Sequence, residues 1–180
     1  RQRDDWWRVH ATTVAALANA IGAKARYASS RPRGTCDVAT GVGREPGLDP
    51  PRLKRLELGA LSHDIGKIGI PASILMKAGP LTHEERSVIE QHPELGERIL
   101  APIEQLAEVR PIVRACHERY DGKGYPDGLR GDAIPLEARI IFACDAFHAM
   151  TTDLPYREAL TVEEAFSRLV EAAGPQVDPN

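Results

Sequence analysis

The stretch Leu61-Ser62-His63-Asp64-Ile65-Gly66-Lys67-Ile68-Gly69-Ile70-Pro71 decides how the rest of the chain is read. A histidine and an aspartate stand side by side at the end of an apolar helical pattern. Leu53, Leu56 and Ala60 recur at i, i+3 and i+7, which is one face of a helix. Gly66 and Gly69 then stop that helix, and Pro71 follows. The pair therefore sits where a helix ends against the core. An ionisable pair in that position is costly unless it is hydrogen-bonded, ion-paired or bound to metal. An imidazole nitrogen and a carboxylate can hold a divalent cation between them, and the carboxylate can bridge two. A solvated surface pair is the competing reading, so other ligands along the chain decide the matter.

Working outward, Asp49 is an N-cap for the helix that carries the dyad, with Pro50 and Pro51 in its first turn. Upstream, a helix is expected from about Thr35 to Arg44, residues 28–34 form a loop by composition, and Trp6 and Trp7 open a helical run to about Ala25. Downstream come a short turn from Ala72 to Lys77 and a capping box, Thr82 with Glu85. That helix runs to Gln91 and is closed by His92-Pro93. Further helices cover Glu94 to Leu100 and the region marked by Ile103, Leu106 and Val109, restarted by Pro111 as far as His117. Residues 119–135 are dense in glycine and proline, a loop long enough to suggest a functional role. Leu136 to Thr152 is the most apolar helix, and a second capping box, Thr161 with Glu164, opens the last. No strand alternation occurs. The expected class is all-α, a helical bundle with one long Gly/Pro-rich loop.

The chain has 180 residues, 42% hydrophobic and 27% charged, which fits one folded domain with its own core. Its net charge of -3 argues against a general DNA or RNA binder. Cys36, Cys116 and Cys144 form no CxxC pair and point to a reducing, cytoplasmic setting. No stretch approaches the roughly 20 apolar residues of a membrane span. The chain reads as a domain excised from a longer protein.

Six histidines are available: His10, His63, His83, His92, His117 and His148. His92 and His117 both close helices, where an imidazole also suits the helix dipole. Asp145 lies mid-helix in Ile140-Ile141-Phe142-Ala143-Cys144-Asp145-Ala146-Phe147. A carboxylate among those side chains needs a cation, either a buried arginine or a metal.

Taken in series, these residues resemble the HD-GYP domain, a bacterial branch of the HD phosphohydrolases. The resemblance is carried by His63-Asp64-Ile65-Gly66-Lys67, Gln91-His92-Pro93-Glu94, and the run from His117 through Gly124-Tyr125-Pro126 to Leu129. Asp145-Ala146-Phe147 and Pro155-Tyr156-Arg157 complete it. The motifs lie in the family's order from about Leu53 to Asp178. Residues 51–180 thus correspond to an HD-GYP core, and residues 1–50 to N-terminal helices that match loosely.

The resemblance implies two or three divalent metals, Fe or Mn, and hydrolysis of cyclic di-GMP to the linear dinucleotide or GMP by hydroxide held between the metals. His63, Asp64, His92, His117 and Asp145 are the implied ligands, with Asp64 bridging, and Cys116, at the place of a further family histidine, is a candidate ligand as thiolate. Lys67 and Arg157 are implied phosphate contacts, and Gly124, Tyr125 and Pro126 border the substrate. Sensor, receiver or GGDEF-type domains are the implied partners.

The chain departs from the family's pattern. Its first metal histidine has no counterpart here: Gly34 stands in that place, in Arg33-Gly34-Thr35-Cys36. One metal is therefore expected to be short of a ligand, in a segment around residues 28–34 that Pro32 and Gly34 should loosen. Gly34→His is expected to restore it. A family pair of histidines reads Cys116-His117, and the residue before Pro155 is Leu154 where the family has arginine. These departures admit two alternatives: a degenerate domain that binds a nucleotide or protein without turnover, and an HD phosphohydrolase for another nucleotide.

Overall fold

The computed structural model describes residues 12–14, 16, 32–45, 47–153 and 158–180. Among these, eight α-helices follow in order: α1 Pro32–Arg44, α2 Pro50–Ser62, α3 Ala72–Leu75, α4 His83–Ile89, α5 His92–Leu100, α6 Arg110–Ala115, α7 Leu136–Met150 and α8 Val162–Ala172. A 3-10 turn, Ile65–Gly69, follows α2 directly, and two others precede α6 and α7. The only β pairing among the described residues is an isolated bridge between Ala173 and Val177. The class is all-α.

The central element is α2. Asp49 caps it, its carboxylate accepting from the Arg52 amide at 2.8 Å. Leu56, Leu58, Gly59, Ala60, Leu61 and Ser62 are all buried, so the C-terminal half is enclosed on every side rather than on one stripe. Leu56, Ala60 and Leu61 join a core with Cys36, Ala39, Ile112, Ala138 and Ile141, to which Val14 also contributes. Leu58 faces the other way, into a second cluster with Ile65, Leu100, Leu106, Val109 and Val113. A histidine and aspartate at the end of this helix are therefore held between two packed layers. Arg52 fastens α2 to α7 through a two-pronged ion pair with Glu137, at 2.9 and 3.1 Å.

Both capping boxes form as the sequence indicates. The Glu85 and Glu164 amides each donate to the capping threonine at 3.2 Å, and each glutamate accepts from that threonine's backbone. Two boundaries differ. Helix α1 begins at Pro32, not Thr35, because a proline in the first turn loses no intrahelical bond. Gly34 is consequently helical, and the expected loosening of that segment does not extend to residues 32–34; residues 28–31 lie outside the described residues. His92 opens α5 rather than closing α4, with Pro93 again in a first turn.

Candidate metal centre

Three histidines enter one pocket from three helix ends. His63 follows α2, His92 opens α5 just beyond α4, and His117 follows α6. The His63 Nδ1 lies 2.7 Å from the Ala60 carbonyl, and the His92 Nδ1 lies 2.8 Å from the Ile89 carbonyl. A carbonyl only accepts, so Nδ1 carries the proton in both rings and Nε2 is left facing inward.

Asp64 is the hub. Its Oδ1 lies 3.4 Å from His92 Nε2 and 3.9 Å from His117 Nε2, and its Oδ2 lies 3.6 Å from His63 Nε2. Lys67, one turn on, donates to Oδ2 at 2.6 Å. The His63 Nε2 is also 3.4 Å from Asp145 Oδ1, which accepts from the Thr35 hydroxyl at 3.3 Å. Among the described residues Asp145 thus pairs with an imidazole and a hydroxyl at the pocket, not with an arginine. His63, Asp64 and His92 are buried, and Asp145 and His117 sit at the mouth.

The close approach of these elements depends on glycine. A Cβ on Gly66 would fall 1.8 Å from the His92 carbonyl oxygen and 2.6 Å from the Gly96 nitrogen. Backbone crosses backbone there, which brings the dyad turn onto α5. Gly124 plays the same part in the loop: a Cβ would lie 2.3 Å from the Arg119 nitrogen. The loop folds back so that Tyr125 donates its amide to the His117 carbonyl at 3.2 Å, and its ring stacks on His117 with centroids 5.3 Å apart. Pro126 follows directly, at the same rim.

Electrostatics match a cation site. Burial raises the Asp64 carboxyl, but Lys67 and the surrounding imidazoles outweigh this and hold it well below the usual carboxylate range. Burial lowers the His63 imidazole, yet Asp64 and Asp145 overcome it and raise the group to about 9. His117 goes the other way, to about 4, because burial and the neighbouring His92 disfavour its charge.

Four buried atoms here have no hydrogen-bond partner: His63 Nε2, Asp64 Oδ1, His92 Nε2 and His117 Nε2. Buried polar atoms are nearly always satisfied, and these four face one another. Ligand atoms of Asp64, His92 and His117 all lie within 4.8 Å of each other, a spacing that a single ion fits. The donor set therefore suits a divalent metal.

The remaining candidates fall out differently. Cys116 is buried among apolar side chains, its thiol directed at the Val113 carbonyl at 3.0 Å and near the His63 carbonyl. Burial, with Asp64 and Asp145 nearby, pushes that thiol far above its ordinary range. Its sulfur is not among the ligand atoms that Asp64, His92 and His117 bring together, so the expectation that it replaces a histidine ligand gains no support from its position. Arg157 and Leu154 lie outside the described residues, as do His10, Trp6 and Trp7.

Two residues were missed. Glu118 is buried and accepts from the Asp127 and Leu129 amides at 2.7 and 3.0 Å, tying the long loop down. An acid at the head of a glycine-rich loop was the available signal, since the loop's amides need acceptors. His148 is the other. It stands one turn after Asp145, and its Nε2 is also buried without a partner.

The HD domain family profile matches residues 15–180. The chain belongs to the HD domain family. It is 40% identical over 169 residues to the cyclic di-GMP phosphodiesterase response regulator RpfG of Xanthomonas campestris, covering 93% of this chain and 45% of that one. It is 31% identical over 166 residues to the 3'3'-cGAMP-specific phosphodiesterase 3 of Vibrio cholerae, covering 92% of this chain and 36% of the relative. The chain thus spans less than half the length of either. The fold is similar to that of a HDG"Y"P protein from Bdellovibrio bacteriovorus, with a TM-score of 0.64 at 23% identity, over 79% of this chain and 46% of that one. The HD-GYP resemblance read from the sequence holds.

Proposed function

We propose that this HD domain is a metal-dependent phosphodiesterase acting on cyclic dinucleotides, with cyclic di-GMP as the substrate. The observation that carries the reading is the cluster of four unpartnered, buried nitrogen and oxygen atoms around Asp64. His92, His117 and Asp64 would hold one ion, and His63, Asp64 and Asp145 would contribute to a second. Mixed imidazole and carboxylate donors suit Fe or Mn. A divalent metal there would supply an acidified water and charge for a phosphoryl oxygen.

The chain's own residues have distinct tasks in this reading. Asp64 joins the two ends of the pocket, because both of its oxygens face ligand nitrogens. Lys67 places an ammonium beside Asp64, where it offsets negative charge as a phosphate approaches. The Tyr125 ring, stacked on His117, walls one side and limits water. Gly124 lets the loop backbone pass close to that wall. Arg157 would add a second phosphate contact.

The relatives named as cyclic di-GMP phosphodiesterases support the substrate class, and those named as specific for cyclic GMP-AMP make that dinucleotide the second reading. A response-regulator relative supports a receiver domain as partner. Among the described residues no helix is long and apolar enough to cross a membrane, and hydrolysis of a second messenger suits the cytoplasm. Packing of α1 against α2 and α7 supports a single domain with residues 51–180 as its core.

The test is hydrolysis of cyclic di-GMP and of cyclic GMP-AMP by protein loaded with Mn or Fe under reducing conditions, read by separation of products. The wild type is expected to linearise cyclic di-GMP, and Asp64→Asn to abolish turnover with the helical signal retained. Binding without cleavage would instead establish a receptor, and cleavage of cyclic GMP-AMP alone would establish the second substrate.

A further inference from the structure

Gly34, the position without a ligand, is not an open gap. A Cβ built there would lie 2.6 Å from His148 Cε1, 2.9 Å from its Nε2 and 3.1 Å from its Nδ1. The imidazole of α7 therefore fills the volume that a side chain on α1 would occupy. Thr35, the next residue, donates its hydroxyl to Asp145, and Asp145 reaches His63 Nε2. Gly34 and Thr35 of α1 thus face His148 and Asp145 of α7, side by side at one end of the metal centre. Asp145 and His148 are three apart on a helix, so their side chains share a face. A glutamate followed three residues later by histidine is a recurring metal-binding pair in helical bundles, and Asp145 and His148 have the same spacing. Nε2 of His148 is buried and has no hydrogen-bond partner, the same condition as the three histidines around Asp64.

We infer that His148 is a metal ligand, supplying from α7 the imidazole that position 34 on α1 lacks. The metal centre then regains one of the imidazoles it lacks, moved between two helices that pack face to face. Asp145, His148 and His63 would hold an ion at the α1 end, while Asp64, His92 and His117, whose ligand atoms lie within 4.8 Å of one another, would hold one at the loop end. This rests on the metal-dependent reading of the site. It also changes the expectation for Gly34→His: the new side chain would collide with the His148 ring, so that substitution alone should not raise metal content.

Metal stoichiometry of the full chain, loaded with Mn under reducing conditions and desalted, tests this without reference to activity. The wild type is expected to hold two ions. His148→Phe keeps a ring against Gly34 but no nitrogen, and is expected to weaken one ion by about tenfold or more and leave the other. His148→Ala with Gly34→His should return the lost ion, since the ring volume is vacated and an imidazole is restored from the other side. Gly34→His alone should bind no more than wild type. If His148→Phe, folded by its circular dichroism and thermal transition, retains both ions at wild-type affinity, the inference is overturned. If the transposed pair folds yet fails to regain the ion lost in His148→Ala, it is likewise overturned. Wild-type protein without metal would overturn the metal reading itself, an outcome visible before any variant is made.

Discussion

Gly66→Ala isolates the backbone crossing on which the site depends. The added Cβ would lie 1.8 Å from the His92 carbonyl oxygen, against about 3.3 Å for a tolerable carbon–oxygen contact. The dyad turn and α5 must therefore part by about 1.5 Å. Overpacking costs about 1–3 kcal/mol when neighbouring side chains can move. Here the obstructing atoms are backbone: the His92 carbonyl and the Gly96 nitrogen, the latter only 2.6 Å away. No rotamer change relieves them, so a loss of about 4 kcal/mol is expected, in the range reserved for defined core disruptions. The same movement would lengthen the 3.4 Å separation of Asp64 Oδ1 and His92 Nε2 and open the metal pocket. Guanidinium unfolding and metal content together measure both consequences. Gly41→Ala is the control, because a Cβ there meets nothing within 4 Å in the middle of α1. It should stabilise by about 0.5–1 kcal/mol. If Gly66→Ala unfolds at the wild-type midpoint and keeps its metal, the crossing does not exist as described.

Two other substitutions probe the supports of the site. Glu118→Gln should leave one of the two loop amides poorly paired in a buried place, a loss of about 1–3 kcal/mol. Hydrogen exchange should accelerate at Asp127 or Leu129 while α2 stays protected, and uniform acceleration would refute the local role. Glu137 is held below its ordinary value despite burial, because Arg52 donates two hydrogen bonds to it. A depressed carboxyl contributes stability above the unfolded value of about 4.3 and loses it as pH falls through the lower folded value. Glu137→Gln should therefore cost about 2 kcal/mol at pH 7, and the gap to wild type should close below pH 4. A gap that persists in acid would mean that packing, not charge, fixes this pair.

The parts of the molecule legible in sequence were those governed by local chemistry. Caps at Asp49, Thr82 and Thr161 mark helix starts because a side-chain oxygen must meet an unpaired amide within three residues. The order of His63-Asp64, His92, His117 and Asp145 pointed to one pocket through the resemblance to the HD-GYP domain, while each residue taken alone, at a helix end or in an apolar helix, left the partner of its charge open. What escaped were relations between distant segments. Cys116 was read as a candidate ligand because it stands where the family has a histidine, but adjacent residues near a helix end point in different directions, and its thiol donates to the Val113 carbonyl in the core. His148 carried a signal, its spacing from Asp145, but only the packing of α1 on α7 shows that it covers Gly34. The crossing of Gly66 on Gly96 has no local signature beyond two glycines 30 positions apart.

The helix ends themselves favour a cation in this pocket. His63 directly follows α2, His92 comes three residues after α4 ends at Ile89, and His117 comes two after α6 ends at Ala115. A helix C-terminus presents unpaired carbonyls and a partial negative charge. Three of them meet here, beside two carboxylates, and the N-terminus of α5, which His92 opens, partly offsets them. The Ala60 and Ile89 carbonyls are among those left over, and each accepts from the Nδ1 of the ligand histidine that follows. One contact thus does two things: it satisfies an end-of-helix carbonyl and fixes the ring with Nε2 turned inward. Positive charge from the protein is sparse by comparison, chiefly Lys67 on Asp64. An anionic substrate would be repelled by such a field were it empty of cations. In the proposed reading, a divalent ion held by these residues would offset that field, and Lys67 beside Asp64 would share the charge of an anionic substrate.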